Sequence, residues 1–199
     1  MIRNNQAQTR RTYEKLLAEF PGKEVAPHYL RFEAWLKNNV NSYRWNCKTT
    51  GGESVTEVKL DTNDLFYVKS ILVGTINCEP GKEAVAKIET FAGTDDLEAI
   101  YNGALQLKTG SKVNIEKLMG LNFKYIPENN GFNFQDAAYS GVEDIYLFGT
   151  KTHELTYDFP TKAGMSIEKK SEDAPENYKL VVILDGFIVK NGAIDTLID

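Results

Sequence analysis

Apolar and polar residues alternate with a period of two along much of the chain after residue 42, a pattern typical of half-buried β-strands. The alternation is clearest in 43–48 and 153–159, whereas 65–76 and 178–190 are nearly continuous apolar runs. Continuous runs favour strands that are covered on both faces. Strand-like segments follow one another without helical crossovers between them. Such a series predicts a mainly β fold, built as an antiparallel sandwich or barrel.

One stretch of this β part, 97–127, predicts an antiparallel meander. The dipeptide Asn102-Gly103 lies between two short apolar-rich runs, and it is the strongest short-range signal of a hairpin because a type I′ turn needs positive φ at both central positions. A strand is predicted over 104–108, and the apolar pattern resumes at 113–115.

The first 42 residues have a different pattern, in which apolar residues recur every three or four positions. This spacing predicts two helices, 4–20 and 28–40. We therefore predict a helical N-terminal arm, residues 1–42, and a β-sandwich body, residues 43–199. Helices this short are marginal alone, so the arm must dock on its own body or on a neighbouring copy. The residues predicted to carry subunit docking are Tyr13, Leu16, Leu17, Phe20, Phe32, Trp35 and Leu36.

Charge separates the same two regions. Residues 1–50 contain nine Lys and Arg against four Asp and Glu, whereas the remainder contains 14 against 24, so that a net charge of −5 divides into +5 and −10. A basic arm indicates contact with nucleic acid or with an acidic neighbouring subunit, although a solvated helix with scattered basic residues is slightly favoured. Because the sequence pI is about 5.2, any nucleic-acid contact would be weak and confined to residues 1–50.

Targeting and redox signals are sparse. No apolar run approaches the roughly 20 residues that span a bilayer, and the N-terminus lacks the apolar core of a secretory signal, so we predict no membrane span. Cys47 and Cys78 have no CxxC spacing and no nearby histidine. Two free thiols in a reducing compartment are favoured, and a single disulfide stays open.

The sequence contains no strong catalytic or metal-binding pattern. His28 and His153 lie in separate segments without a partner at metal-ligand spacing, which favours structural roles. The segment 61–64 begins like a calcium loop, but Phe66 occupies the position of the turn glycine and Leu72 that of the final glutamate. We therefore predict that the protein is not an enzyme and has no cofactor and no metal site.

Four segments carry a resemblance to a known class: DTNDLFYVKSILVG at 61–74, YNGALQLKTG at 101–110, FKYIP at 123–127 and YKLVVILDGFIVKNGA at 178–193. Together they resemble structural proteins of bacteriophage virions, and they look most like capsid-type jelly-roll proteins. The resemblance implies a jelly-roll-like β-sandwich that acts by self-assembly through arm, loop and edge contacts. It further implies a homo-oligomer that contacts other virion proteins and resides in the virion after synthesis in the host cytoplasm.

Two other functions remain open. The first is a carbohydrate- or receptor-binding β-sandwich module of a fibre or adhesin, in which the loops 128–142 and 161–177 would form the site. The second is an enzyme on a jelly-roll scaffold, and the shortage of histidines and of catalytic carboxylate motifs makes it the weakest of the three.

Overall fold

A computed structural model describes residues 2–37, 40–46, 60–77, 88–89, 98–123, 138–141, 144–160 and 178–193. The described part of the chain is mainly β and contains two antiparallel sheets, which confirms the predicted fold class at this level. In chain order the elements are α1 (Ile2–Glu19), β1 (Val25–Trp35), β2 (Ser42–Asn46), β3 (Leu65–Asn77), β4 (Ile88–Glu89), α2 (Glu98–Tyr101), β5 (Ala104–Thr109), β6 (Lys112–Met119), a 3₁₀ helix (Gly120–Phe123), β7 (Ile145–Phe148), β8 (His153–Asp158) and β9 (Tyr178–Val189).

The strands pair in a nested order. Sheet 1 has the order β1-β9-β3, and β4 and β7 pair with opposite halves of β3, while sheet 2 has the order β2-β8-β5-β6. Accordingly β1 pairs with β9, β2 with β8, β3 with β7 and β5 with β6. Early strands thus meet late strands in reverse order, as in a single long hairpin distributed over two sheets.

A shared apolar cluster joins the inner faces of the two sheets. The rings of Phe32 in β1 and Trp45 in β2 have centroids 6.3 Å apart, and the indole Nε1 of Trp45 donates a hydrogen bond of 3.0 Å to the carbonyl of Glu33. Tyr157 in β8 is fully buried, and its hydroxyl donates to the carbonyl of Ile100 at 2.7 Å. Aromatic side chains with satisfied polar ends therefore fill much of the space between the sheets.

The two longest apolar runs form β3 and β9, which pair along most of their length. Their register shifts between Val68 and Ser70, which leaves Lys69 as a bulge in β3. A Cβ atom added to Gly186 on β9 would lie 1.8 Å from the carbonyl oxygen of Tyr67. Gly186 therefore permits a close backbone approach that a side chain would prevent.

The predicted helix at 28–40 is wrong, because Val25–Trp35 forms β1 and pairs along its whole length with β9. Alternation along β1 directs Leu30 and Phe32 into the core and leaves Tyr29 exposed. The three- and four-residue apolar spacing is also compatible with this alternation, and pairing with β9 selects the strand. Of the predicted helical arm, α1 alone is helical among the described residues.

The predicted hairpin turn at Asn102-Gly103 is also wrong. These residues follow the short helix α2, and the amide of Gly103 donates to the carbonyl of Ile100 at 3.0 Å. The chain reverses instead between β5 and β6, where Gly110 has a φ of +57°. Glycine adopts this left-handed conformation readily, so the turn signal lies eight residues downstream of Asn102.

Candidate functional site

Helix α1 docks on the outer face of sheet 1. Leu16 is fully buried there, and the ring of Tyr13 packs 5.9 Å from that of Phe187, measured between centroids. The buried residues that surround Leu16 come from β1, β3 and β9: Val25, Leu65, Tyr67, Phe187 and Val189. Of the two docking partners left open by the sequence, the helix thus contacts its own body.

Polar contacts at the rim of this socket form what we call the α1 latch: Lys15, Glu19, Tyr67, Asp144 and Tyr146. Lys15 forms an ion pair with Asp144, and the Tyr67 hydroxyl donates to the same carboxylate at 2.7 Å. The Tyr146 hydroxyl donates to Glu19 at 2.7 Å. The hydrogen bonds from Lys15 and Tyr67 hold the pKa of Asp144 below its ordinary value. Burial, reinforced by the neighbouring carboxylates, raises the pKa of Tyr67 and Tyr146.

The predicted docking residues divide by exposure. They form a buried group (Leu16, Phe32 and Leu36), a half-buried group (Phe20 and Trp35) and an exposed group (Tyr13, 36%, and Leu17, 41%). Phe32 and Leu36 belong to the cluster between the sheets, so they cannot contact a partner while the subunit is folded. Subunit docking by this set stays a prediction, and Tyr13 and Leu17 are the members that a neighbour can reach.

Further exposed apolar residues lie on β6 and on the 3₁₀ helix that follows it, and we call them the β6 surface: Val113, Met119 and Leu121. Their exposures are 44%, 39% and 57%. Among the described strands β6 pairs with β5 alone, and the two register irregularities of this pairing are typical of edge strands. The sequence includes Val113 in the predicted meander but carries no signal that β6 lies at an edge.

The outer face of sheet 1 is charged at the end away from α1. Glu33 and Lys179 form an ion pair at 3.1 Å with side chains 7% and 8% exposed, and Arg31 pairs with the other oxygen of Glu33. The Lys179 ammonium also lies 4.6 Å from the centroid of the Trp35 ring. We call Arg31, Glu33, Trp35 and Lys179 the charged patch, in which two cations share the carboxylate of Glu33.

A concavity of about 320 Å³ opens on the same face. It is lined by Tyr29, Arg31, Ile183 and Asp185. Tyr29 is 45% exposed and lies directly opposite Asp185 across the β1–β9 pair. The Asp185 carboxylate is held by the Lys69 ammonium at 2.7 Å and by the Ser70 hydroxyl at 3.2 Å. An exposed aromatic ring and a fixed carboxylate therefore face one small space.

A larger concavity, of about 590 Å³, lies on sheet 2 beside β5, β6 and the end of β8. Its charged residues Glu116, Lys117 and Asp158 are exposed. Asp158 accepts a hydrogen bond of 2.6 Å from the Ser42 hydroxyl. These solvated groups lack the buried, mutually positioned arrangement that perturbs catalytic side chains.

Both histidines are integrated into the body. His153 is buried, and its Nε2 lies 2.8 Å from the carbonyl of Phe148 while its Nδ1 lies 2.9 Å from the Thr109 hydroxyl. Because a carbonyl only accepts, Nε2 donates to Phe148, and Nδ1 forms the second hydrogen bond with the Thr109 hydroxyl, so both ring nitrogens have partners within the body. His28 is half-buried, and its pKa is lowered by burial and then by Lys190.

In the loop 61–64 the carboxylate of Asp64 forms hydrogen bonds within the protein. Asp64 is buried and accepts hydrogen bonds from the Lys190 ammonium at 2.6 Å and from the amide of Asn191 at 3.0 Å. These bonds fix the end of β9, and Asn191 adopts a φ of +56° there. In the described ranges no group of three or more His, Cys, Asp or Glu residues is placed to hold a metal ion.

Some predicted features lie outside the described residues. They are Cys47, Cys78, loop 161–177 and all of loop 128–142 except 138–141. No helix within the described ranges is both long enough and apolar enough to cross a membrane. Comparison of the chain with models of protein families, with curated proteins and with solved structures gave no match.

Proposed function

We propose that this chain is a structural protein of a bacteriophage virion, of the capsid type, which acts by self-assembly. The nested pairing of the strands supports the fold, and the observation that carries self-assembly is the exposure of apolar side chains on α1 and on the β6 surface. Arm, loop and edge contacts between copies would form the assembly, and other virion proteins would complete it.

The nested pairing supports a jelly roll. In that fold one long antiparallel hairpin folds over, so that its successive strand pairs are divided between two sheets. The pairs β1–β9 and β3–β7 fall in sheet 1, and the pairs β2–β8 and β5–β6 fall in sheet 2. Strand β4 is an addition to the far half of β3. Viral capsid domains and lectins both use jelly rolls, so the fold alone does not select a function.

Exposed apolar surfaces favour assembly over the alternatives. Tyr13 and Leu17 lie on α1, and the β6 surface lies on the other sheet. Single exposed apolar residues are ordinary, but these two groups occupy a docked helix and a sheet edge, the kinds of element through which copies pack or pair. Burying them against neighbours removes apolar area from water, at about 25 cal/mol per Å².

The remaining roles follow from the same proposal. An assembly protein needs no cofactor and no enzymatic site, and it would be made in the host cytoplasm and retained in the virion. Contact with nucleic acid through residues 1–50 would be weak, because Arg10 already pairs with Glu14 at 2.8 Å and Lys15 with Asp144.

Size-exclusion chromatography with light scattering tests the proposal. It compares the mass of the natural chain with that of variants in which one exposed apolar residue is replaced by a charged residue. We expect the natural chain to elute well above its monomer mass of 22.4 kDa, and we expect Leu17→Glu and Leu121→Glu each to reduce the assembled fraction. Gln8→Glu and Asn122→Glu are matched controls, because they add the same charge at exposed positions on the same two elements. Assembly that neither surface variant weakens, with circular dichroism unchanged, would contradict the proposed contacts.

The deletion that tests the arm must end at residue 20. A deletion through residue 40 would remove β1, and with it Leu30 and Phe32 from the core. Removal of residues 1–20 leaves both sheets intact, so a folded chain with a reduced assembly mass is the expected result.

A further inference from the structure

We propose that the concavity on the outer face of sheet 1 binds a neutral saccharide. This site goes beyond the assembly function, and it differs from the loops in which the sequence placed a carbohydrate site. Its lining consists of Tyr29, Arg31, Ile183 and Asp185.

The site is an opening between two covered areas. On one side α1 covers the end of the sheet that carries Val25 and Val189, which are 7% and 0% exposed. On the other side Leu72 and Val181 are fully buried in a separate apolar cluster. Tyr29, at 45% exposure, lies between these areas, and its neighbour on the same face of β1, Pro27, is also exposed. Exposed aromatic surface with a polar rim commonly marks a binding site.

Tyr29 supplies the apolar element of the site. A sugar ring presents a face of C–H groups that packs on an aromatic ring, while its hydroxyls point sideways towards polar side chains. Tyr29 belongs to β1, whose backbone pairs with β9 at this position, opposite Asp185. The aromatic side chain therefore projects from a regular strand rather than from a loop.

Asp185 supplies an oriented acceptor. The contacts from Lys69 at 2.7 Å and from Ser70 at 3.2 Å both reach Oδ2. Within the described part of the chain, Oδ1 is left to accept from a ligand hydroxyl, and a carboxylate has acceptor capacity for several donors. Because two side chains already fix the carboxylate, little further ordering is needed when a ligand binds.

The pairing of charges favours a neutral ligand. Asp185 contacts Lys69, and Arg31 contacts Glu33, a carboxylate that it shares with Lys179, so each lining charge already has an opposite charge of the protein in contact with it. An ionic ligand would have to compete with these pairs, whereas a polyhydroxy ligand can add hydrogen bonds to them. A volume of about 320 Å³ lies at the small end of ligand sites, which span roughly 300–1,000 Å³.

The test starts with the full chain on a glycan array that displays neutral, sialylated and sulfated glycans. The affinity for the best neutral saccharide, added free in solution, is then measured by ligand-observed NMR, so that avidity does not contribute. We expect Tyr29→Ala to weaken binding by at least about tenfold, and we expect Tyr29→Phe, which keeps the ring, to retain it. Asp185→Ala removes the acceptor and should weaken binding to a similar degree.

Asp158→Ala is the matched control for Asp185→Ala, since it removes a carboxylate on the other sheet that likewise accepts a hydrogen bond from a serine hydroxyl. The proposal is overturned if no neutral glycan binds, if acidic glycans alone bind, or if Tyr29→Ala binds as the natural chain does. Circular dichroism establishes that each variant is folded. The mass of the Tyr29→Ala assembly separates this site from the assembly surfaces, because it should equal that of the natural chain whether or not a saccharide binds.

Discussion

The two ends of the outer face of sheet 1 are buried in different ways. At the α1 end, Leu16 enters an apolar socket formed by three strands. At the other end, Glu33 and Lys179 are as deeply buried as many core residues, but they are an ion pair. Both ends lie on the paired strands β1 and β9. The backbone structure is therefore the same at the two ends, and the buried side chains differ.

The difference separates stability from specificity. Burial of Leu16 is favourable on its own, because it removes apolar surface from water. Burial of Glu33 with Lys179 is close to neutral, because desolvation of two charges offsets much of their attraction. Such a pair instead penalises any arrangement that separates its members, and we infer that it helps to fix the register of β1 on β9.

The largest effect is expected when one member of the buried pair is removed. Glu33→Ala removes the buried carboxylate that Lys179 and Arg31 both contact, which should lower the free energy of unfolding by about 3–5 kcal/mol. Urea unfolding followed by circular dichroism measures the change.

The double variant Glu33→Leu with Lys179→Met provides the control for this prediction. It removes both buried charges, so stability should return to within about 1–2 kcal/mol of the natural chain. Both variants also remove the Glu33 carboxylate from Arg31, so the effect on Arg31 is common to the two and does not affect the comparison. A double variant as unstable as Glu33→Ala would show that the pair itself stabilises the fold.

The apolar end should respond with a smaller loss. Leu16→Ala leaves a cavity under α1, and we expect the free energy of unfolding to fall by about 2–4 kcal/mol. Leu17→Ala is the matched control, because Leu17 is 41% exposed and should change stability by less than about 0.5 kcal/mol. Equal losses in the two variants would mean that α1 does not dock through the Leu16 face.

The smallest effect belongs to the α1 latch. Asp144 has a side chain that is 53% exposed, so solvent screening limits the expected loss in Asp144→Asn to below about 1 kcal/mol. Because the folded pKa of Asp144 is depressed, its contribution is present above the ordinary aspartate value of about 3.9 and is lost as pH falls through the folded value. Thermal unfolding at neutral and at acidic pH checks the sign.

At neutral pH the natural chain should have a higher unfolding temperature than Asp144→Asn. In acid the two unfolding temperatures should become equal. A difference that persists after Asp144 is protonated would assign the effect to side-chain volume or to the Tyr67 hydrogen bond rather than to charge.

The local pattern of apolar residues predicted α1 and most of the strands, but in one segment it did not distinguish a helix from a strand. In α1 the helical spacing ends at Pro21-Gly22, and no alternation competes with it. In β1 the helical spacing coexists with alternation at Leu30 and Phe32, so local pattern is compatible with both structures. The choice depends on β9, which is distant in sequence, and single-segment patterns contain no information on such a partner.

The candidate sites depend even more on distant partners. Tyr29 lies in the predicted helix 28–40, whereas its position opposite Asp185 exists only in the β1–β9 register. The latch joins Lys15 to Asp144, and neither residue carries a local signal for the other. Burial of Phe32 and Leu36 likewise follows from packing of the two sheets, which explains why part of the predicted docking set faces the core.

The mass of the native particle tests the assembly proposal most directly. Native mass spectrometry of the full chain, over a range of protein concentrations, should give a defined multiple of 22.4 kDa, as closed symmetric assemblies do. A folded chain that stays monomeric at every concentration would contradict the proposal.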